Sequence, residues 1–454
     1  MLYPRSMFAP VALAFAPGAL APGALAPGAL VLAPFQQAPP PHPVGRPATF
    51  VETFEVLLEI EGEAAGDQFG WIGRNAGDVD GDGHADILTS APFKAIGGAS
   101  AGRAYVYSGK TGELLHQWSG QPGDLFGIGI DSAGDVDADG HADLAVGAAG
   151  AGGTGAAYVY SGKTGELLHT FKGENNADNF GRRVAGAGDL NEDGHDDIIV
   201  GAPNADGVAD DVGKAFVFSG ADGALLEMLE GERPGDAFGS CVDGYSDEKS
   251  KLLIIGAPSA GEGQRGATYV YKYSTRRTRP LFTIESQPGD TSLGRMFVSA
   301  VGDVNADGVV DVYASDWASN ANGVQGSGRI YVHSGTDGER LLELSGKQAG
   351  EGFGIGTSEA GDVNGDGHDD LLVGAWQNAD AAASGGKCTL FSGKDGSVLR
   401  TYTCATAGDT FGFDTTSLGD LDGDDVPDFL VTAAYSYIKG AQSGRVFVIA
   451  GPGR

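Results

Sequence analysis

The stretch Asp78-Val79-Asp80-Gly81-Asp82-Gly83-His84-Ala85-Asp86 places a carboxylate at positions one, three, five and nine of a nine-residue segment. Five further copies of this pattern begin at Asp135, Asp189, Asp303, Asp362 and Asp420. Carboxylates packed this densely repel one another unless a cation neutralises them. The spacing therefore indicates a cation site that is built six times into a repeating fold.

The distances between copies reveal one more repeat. Successive copies start 57, 54, 114, 59 and 58 residues apart, so the third interval is twice the others. Within it, Gly244 takes position one, and positions three, five and nine are Ser246, Glu248 and Leu252. The stretch Ile255–Pro258 then matches the strand end that follows the third copy. The chain therefore contains seven repeats, and the fourth has lost the alternating acidic pattern of the others.

A second marker, the dipeptide Phe-Gly, precedes each acidic segment. It occurs at Phe69-Gly70, Phe126-Gly127, Phe180-Gly181, Phe238-Gly239, Phe353-Gly354 and Phe411-Gly412, and the fifth repeat has Leu293-Gly294 instead. The second repeat reads as four short strands over 126–133, 144–147, 157–160 and 167–171, with β-branched or aromatic residues and glycine turns. Seven four-stranded units predict an all-β fold, a seven-bladed β-propeller of antiparallel blades.

The two ends of the repeat region complement each other. The last repeat ends after Phe447-Val448-Ile449 and lacks a fourth strand. Residues 54–60, ahead of the first repeat, carry the pattern of a fourth strand and lead into Phe69 as other fourth strands lead into theirs. We therefore expect the N-terminal strand to complete blade seven and close the ring, which protects edges that an open end would expose.

Phe-Gly, the acidic loop and Gly-Ala-Pro, in that order, resemble the FG-GAP repeats of the integrin α-subunit propeller. The resemblance covers about residues 50–454. Propellers of this group include extracellular adhesion modules, some lectins and accessory domains of enzymes. The resemblance therefore implies the fold and leaves the function open.

The resemblance also implies the ligands of the cation, which we expect to be Ca²⁺ in up to six sites, one per blade except blade four. Calcium takes six to eight oxygen ligands in irregular geometry. The implied side-chain ligands are Asp78, Asp80, Asp82 and Asp86; Asp135, Asp137, Asp139 and Asp143; Asp189, Asn191, Asp193 and Asp197; Asp303, Asn305, Asp307 and Asp311; Asp362, Asn364, Asp366 and Asp370; and Asp420, Asp422, Asp424 and Asp428. Position seven contributes its carbonyl, which leaves the ring of a histidine there outside the metal shell.

Two other interpretations of the loops were weighed. An EF-hand needs a bidentate Glu at position twelve, where this chain has residues of apolar strands such as Val146 and Val200. A solvated acidic turn explains one such loop and does not explain six in register. Position six is glycine in five loops, as a left-handed backbone requires, and Asp425 in the seventh blade must adopt that conformation with some strain.

Composition and the first 48 residues limit location and partners. The formal charge is -32, which argues against nucleic acid as a partner. Residues 1–34 are expected to be a signal or low-complexity leader, 35–48 a proline-rich linker and 49–454 the propeller. Prolines every five to seven residues argue against a stable transmembrane anchor. Arg5 ahead of an apolar run resembles an export signal, so we expect an exported protein, secreted or at the cell surface. A disordered leader is the alternative.

Three cysteines do not form a disulfide framework. Cys388 and Cys404 flank a predicted hairpin about three residues out of register, which leaves open a disulfide or, as the favoured alternative, two buried small residues.

A partner is expected on the face opposite the acidic loops, where three neighbouring blades carry Trp317, Trp376 and Tyr435 at or next to an aligned position. Their rings either bind a ligand or plug the mouth of the central channel. No catalytic constellation is evident, so we expect a non-enzymatic, calcium-binding module for adhesion or interaction with an extracellular protein. A lectin that binds glycans, or a glycan-active enzyme on the same scaffold, is the alternative.

Overall fold

The computed structural model describes Gly45 and residues 47–453. The expected leader, and all but three residues of the expected linker, lie outside the described residues. The described part consists of seven four-stranded antiparallel sheets, with only three single-turn 3-10 helices, at Ala151–Gly153, Glu262–Gln264 and Ala321–Gly323. The predicted all-β, seven-bladed propeller is confirmed.

The strands follow one another in chain order with the same pattern in each blade. Blades one and two contain β2 (Gly73–Asn75), β3 (Ile87–Ala91), β4 (Arg103–Tyr107) and β5 (Leu114–Ser119), then β6 (Phe126–Gly134), β7 (Asp143–Ala148), β8 (Ala156–Tyr160) and β9 (Leu167–Lys172). Blades three and four contain β10 (Arg183–Gly188), β11 (Asp197–Ala202), β12 (Lys214–Phe218) and β13 (Leu225–Glu230), then β14 (Cys241–Ser246), β15 (Lys251–Ala257), β16 (Ala267–Lys272) and β17 (Arg279–Glu285). Blades five and six contain β18 (Val298–Val301), β19 (Asp311–Asp316), β20 (Arg329–His333) and β21 (Arg340–Ser345), then β22 (Phe353–Gly361), β23 (Asp370–Ala375), β24 (Lys387–Phe391) and β25 (Val398–Thr403). Blade seven combines β26 (Thr415–Gly419), β27 (Asp428–Ala433) and β28 (Arg445–Ile449) with β1 (Val56–Glu61).

The N-terminal strand closes the ring, as predicted. β1 pairs antiparallel with β28, from Val56 opposite Ile449 to Glu61 opposite Arg445. The preceding segment also joins blade six: the Val51 N–H donates to the Thr403 carbonyl at 2.9 Å, and the Ala405 N–H donates to the Thr49 carbonyl at 2.6 Å. The segment 49–61 therefore connects blades six and seven, which the sequence pattern did not indicate.

The Phe-Gly and Gly-Ala-Pro sequences occur together because each blade packs on the next through them. The phenylalanines are at most 6% exposed, and most form a parallel bridge to a glycine before the third strand of the preceding blade, as Gly155 does with Phe180. A Cβ on Gly147 would lie 2.0 Å from the Gly181 carbonyl, and one on Gly201 would lie 2.1 Å from that of Gly239. Only glycine permits this approach of two backbones.

All three cysteines, Cys241, Cys388 and Cys404, are buried free thiols. The favoured alternative, two buried small residues, is therefore the one the structure shows for Cys388 and Cys404. No helix among the described residues is long and apolar enough to span a membrane.

Candidate functional site: acidic loops and central channel

The acidic loops share one hydrogen-bonding pattern, which blade one illustrates. The Asp78 carboxylate at position one accepts the N–H groups of Gly81, Asp82 and Gly83 at 2.8–3.0 Å. The position-five carboxylate of Asp82 accepts the position-seven N–H at 2.9 Å. These bonds fold the loop tightly, so that the side chains of positions one, three and nine converge.

The aspartate at position nine holds the base of each loop. In all six loops it is 0% exposed, namely Asp86, Asp143, Asp197, Asp311, Asp370 and Asp428. In blade two, Asp143 accepts the Val136 N–H at 2.8 Å and the N–H of Gly162, in the outer turn between the third and fourth strands, at 2.9 Å. This carboxylate therefore connects the loop to the outer turn of its own blade.

Burial raises the pKa of these position-nine carboxyls, against the lowering effect of their backbone N–H donors. The pKa reaches about 6 for Asp86, Asp143, Asp197 and Asp370 and about 7 for Asp311, and it is also raised for Asp428. A neighbouring loop carboxylate, such as Asp80 beside Asp86, adds to the rise. Each loop thus holds a buried negative charge that a cation would stabilise.

Three loops bring carboxylate oxygens of positions one, three and nine within 4.8 Å of one another: Asp78, Asp80 and Asp86; Asp135, Asp137 and Asp143; and Asp420, Asp422 and Asp428. The loops of blades three, five and six have Asn at position three, so their third oxygen there is an amide oxygen. All these donors are oxygens, the ligand type of a hard divalent cation. The residues present therefore fit calcium.

The loop backbone is left-handed at two positions. Position six has φ between 64° and 88° in all six loops, and the non-glycine residue there, Asp425, has φ 64°, as expected. Position four is also left-handed, although Ala138, Glu192 and Ala306 occupy it in three blades with φ of 59–65°. Sequence reasoning missed position four because these residues give no signal for that conformation.

Of the four histidines at position seven, all but His84 join neighbouring blades. His141 Nδ1 lies 3.1 Å from the Val79 carbonyl of blade one, and His195 Nδ1 lies 2.7 Å from the Val136 carbonyl of blade two. His368 makes the same contact with Val304 of blade five at 2.7 Å. These rings contact the backbone of the preceding loop.

Blade four replaces the acidic loop with a short turn. The Asp247 carboxylate accepts the N–H groups of Lys249 and Ser250, at 2.8 and 2.6 Å. Lys251 Nζ then donates to the carbonyls of Asp189 and Leu190 in the blade-three loop, at 3.2 and 2.8 Å. A lysine therefore supports the neighbouring loop where the metal ligands were lost.

The three aromatic residues considered as ligand contacts belong to a larger packed group. Trp376 and Tyr435 are 5% and 6% exposed, and Trp317 is half-buried. Trp376 lies 5.3 Å from Tyr435, 5.5 Å from Phe413 and 6.3 Å from Trp317, measured between ring centroids. We name Trp71, Phe93, Trp317, Trp376, Phe413 and Tyr435 the aromatic cluster. Its buried rings do not offer a face to a ligand, which favours the alternative that they plug the channel.

The innermost strands of all seven blades line a central cavity of about 280 Å³, which the sequence did not reveal. Arg74 Nη1 lies 2.7 Å from Asp414 Oδ2, and Arg74 Nε lies 3.7 Å from Asp131 Oδ1. Asp243 Oδ2 accepts the Ser299 hydroxyl at 2.6 Å and the Ala300 N–H at 2.9 Å. The channel therefore contains both guanidinium and carboxylate groups.

Replacing Asp131 with Asn is expected to raise the melting temperature at pH 7 and to change it little at pH 4. Burial raises the pKa of Asp131 from its ordinary 3.8 to about 7, although Arg74 lowers it. Because the folded protein binds this proton more tightly than the unfolded chain, stability falls as pH rises from about 4 to 7. Thermal denaturation of both proteins across that range measures the effect, and an equal shift at both ends would contradict it.

The fold and the loops define a class of protein: a seven-bladed propeller with six acidic loops on one face. The FG-GAP repeat family matches residues 69–107, 126–160, 180–218, 357–386 and 413–449, which are in blades one, two, three, six and seven. The chain is an FG-GAP repeat protein with an integrin-like propeller.

Relatives agree with this assignment. Integrin alpha-E of Mus musculus is 36% identical over 168 residues, which are 32% of this chain and 14% of that protein. Phosphatidylinositol-glycan-specific phospholipase D of Bos taurus is 28% identical over 392 residues, 72% of this chain and 46% of that enzyme. The chain thus spans less than half the length of either relative.

Among solved structures, the crystal structure of BBS1N in complex with ARL6DN, soaked with mercury, superposes on this chain with a TM-score of 0.53 and 10% sequence identity. The superposition covers 88% of this chain and 97% of the chain in that structure. At this identity the likeness concerns the fold alone.

Proposed function

We propose that the protein is an exported, calcium-stabilised propeller that acts as an adhesion or protein-interaction module outside the cell. The observation that carries the proposal is the set of six position-nine carboxylates. Each is 0% exposed and lies in a loop whose other side chains offer further oxygen ligands. Calcium would complete these loops and hold the blade edges in one geometry. Extracellular calcium modules bind with dissociation constants of about 10⁻⁴ to 10⁻³ M, so they are loaded outside cells and empty inside them.

The relatives support the interaction part of the proposal. Integrin α-subunits appear among them repeatedly, including integrin alpha-5 of Xenopus laevis, 34% identical over 129 residues, 25% of this chain and 12% of that protein. The aromatic residues that could stack on a sugar or anchor a peptide pack in the aromatic cluster, so they favour neither a lectin nor a protein-binding module. Because of the integrin relatives, the partner we expect is a protein, bound on the face opposite the loops.

Calcium-dependent binding to extracellular matrix proteins tests the interaction. We expect saturable binding of the full chain to at least one immobilised matrix protein in millimolar calcium, and its loss in chelator. A glycan array probed under the same conditions separates the alternatives, since saturable glycan binding without protein binding would favour the lectin.

The relationship to phosphatidylinositol-glycan-specific phospholipase D supports a second candidate, a propeller with an enzymatic role. Three such enzymes are similar to this chain, with identities of 28–34%. Release of product from a glycan or a glycosylated lipid by the purified chain would favour this candidate.

The substitution Asp137→Ala is expected to remove one calcium ion from the bound total. Asp137 is exposed at position three of the blade-two loop, and no described residue donates a hydrogen bond to its carboxylate. Its loss therefore removes a metal ligand without disturbing the loop's own bonds. Isothermal titration calorimetry should give a stoichiometry lower by one, and the melting temperature should fall in calcium but not in chelator.

Glu113→Ala is the matched control, because it removes one exposed carboxylate from the outer turn of blade one, which lies outside the acidic loops. Unchanged stoichiometry in Asp137→Ala, or the same loss in both variants, would contradict the assignment of Asp137 as a ligand.

A further inference from the structure

The strongest unexplained group in the channel is the guanidinium of Arg183. This residue is 8% exposed and lines the central cavity. Its guanidinium lies over the ring of Phe297, whose centroid is 5.2 Å from the Arg183 Cζ. Among the described residues no carboxylate or carbonyl accepts a hydrogen bond from it. A buried guanidinium without an acceptor is costly, so an unpaired one that faces a cavity suggests an anionic ligand.

A free acceptor faces the same cavity. Asp131 Oδ1 accepts the Ser132 N–H at 3.0 Å, whereas no described residue donates to Asp131 Oδ2. The Asp131 side chain is 24% exposed, and its residue lines the cavity. The channel therefore presents a guanidinium without a hydrogen-bond acceptor, that of Arg183, and one carboxylate oxygen without a hydrogen-bond donor, Asp131 Oδ2, although Asp131 Oδ1 lies 3.7 Å from Arg74 Nε.

Strand register gives the order of these groups along the channel. Asp131 and Asp243 pair with Ala145 and Ile254, which stand at the same level of the second strands. Arg183 pairs with Gly201, two residues further from the acidic loops. Two residues of a strand rise about 6–7 Å. The backbone positions of Asp131 and Asp243 thus lie nearer the loop face, where exposed Glu359 also lines the cavity, and that of Arg183 lies deeper.

These two groups select among ligand charges. A simple anion bound by Arg183 would leave Asp131 Oδ2 without a donor. A simple cation would leave Arg183 unpaired. A small molecule with an anionic group at one end and a cationic group at the other satisfies both.

We propose that the central channel binds a small zwitterion of the amino-acid type, with its carboxylate on the Arg183 guanidinium and its ammonium group on Asp131 Oδ2. The guanidinium offers a planar pair of donors that matches a carboxylate. Arg74 is occupied by Asp414 at 2.7 Å, which leaves Arg183 as the anion-binding arginine. Phe297 provides the apolar wall beside it.

The test titrates glycine, β-alanine and γ-aminobutyrate, which differ in the separation of their charges, into the full chain in calcium. Acetate and methylammonium serve as half-ligands at equal ionic strength. We expect saturable stabilisation in thermal denaturation, and calorimetric binding, by at least one of the three amino acids, with each half-ligand at least about tenfold weaker. No saturable binding by any amino acid, or equal binding by acetate, overturns the proposal.

Variants locate the site. Arg183→Met and Asp131→Asn should each weaken the binding of the best amino acid by about tenfold or more, while Arg276→Met, at an exposed turn of blade four, should leave it unchanged. If Arg183→Met does not fold, the loss of affinity expected for the isosteric variant Asp131→Asn still tests the proposal. A crystal structure with the best amino acid should place its carboxylate on Arg183, and a ligand bound elsewhere overturns the proposal.

Discussion

Removing calcium with a chelator is expected to lower the melting temperature by on the order of 10 °C. A site loaded at about twentyfold its dissociation constant stabilises the folded protein by about 2 kcal/mol, so six sites together contribute on the order of 10 kcal/mol. For a propeller of this size, about 1 kcal/mol corresponds to about 1 °C. Thermal denaturation in millimolar calcium and in excess chelator measures the difference, which makes it one of the two largest effects expected for this protein.

The pH dependence of this effect provides an internal control. Without calcium, the position-nine carboxyls have a raised pKa, about 6 for Asp86 and about 7 for Asp311, so the folded protein binds protons that the unfolded chain does not. The calcium-free protein should therefore lose stability as pH rises from about 4 to 7. Calcium competes with those protons, so the stabilisation that it provides should grow over the same range.

Two outcomes would contradict the calcium hypothesis. One is a melting temperature that does not respond to chelator at pH 8. The other is full replacement of calcium by magnesium at equal concentration, because magnesium requires near-ideal octahedral geometry and retains its waters.

Deleting residues 49–62 is expected to abolish the cooperative unfolding transition or to lower its midpoint by tens of degrees. The deletion removes β1, the outer strand of blade seven, and the segment that pairs with blade six. It also removes Glu59, whose carboxylate lies 2.7 Å from Arg445 Nη1. Arg445 is 1% exposed and also pairs with buried Asp409. The deletion therefore removes one carboxylate from a buried charge network and also exposes the edge of a sheet.

The deletion is tested by restoring the strand. A synthetic peptide of residues 49–62, added in excess to the truncated protein, should recover much of the lost stability by pairing with β28. As a graded version, Phe54→Ala should destabilise by about 2 kcal/mol, since the half-buried Phe54 ring packs 5.0 Å from Tyr402. A truncated protein with an unchanged melting temperature would show that ring closure does not depend on this strand.

Much of the fold could be predicted because the signals are local and repeated. The alternation of Asp in the loops, the glycine at position six and the Phe-Gly dipeptide each constrain a few adjacent residues, and seven copies removed the ambiguity of any single one. Even the fourth blade, whose turn lacks the alternating acidic pattern, follows from the doubled spacing and from the strand end Ile255–Pro258. The left-handed backbone at position four escaped notice, because Ala138 and Glu192 adopt it under the constraint of the loop's hydrogen bonds.

The candidate sites away from the loops depended on contacts between distant blades. Trp317, Trp376 and Tyr435 were correctly assigned to neighbouring blades, yet only their packing against Phe413 and Trp71 shows that the rings lie in a cluster. The contacts of His141 and His195 with preceding loops are also between blades. Such contacts join residues about 60 positions apart, for which one sequence gives no pairing signal.

The sequence by itself therefore determined the number of blades, the acidic loops and the strand that closes the ring, because each follows from residue spacing within a repeat. The tertiary structure decided what the repeats form together. It buried the position-nine carboxylates, it packed the aromatic cluster, and it brought Arg183 and Asp131 from different blades to one channel. The physical reason is that burial and charge pairing depend on which side chains the closed ring brings face to face, and that is a property of the whole propeller.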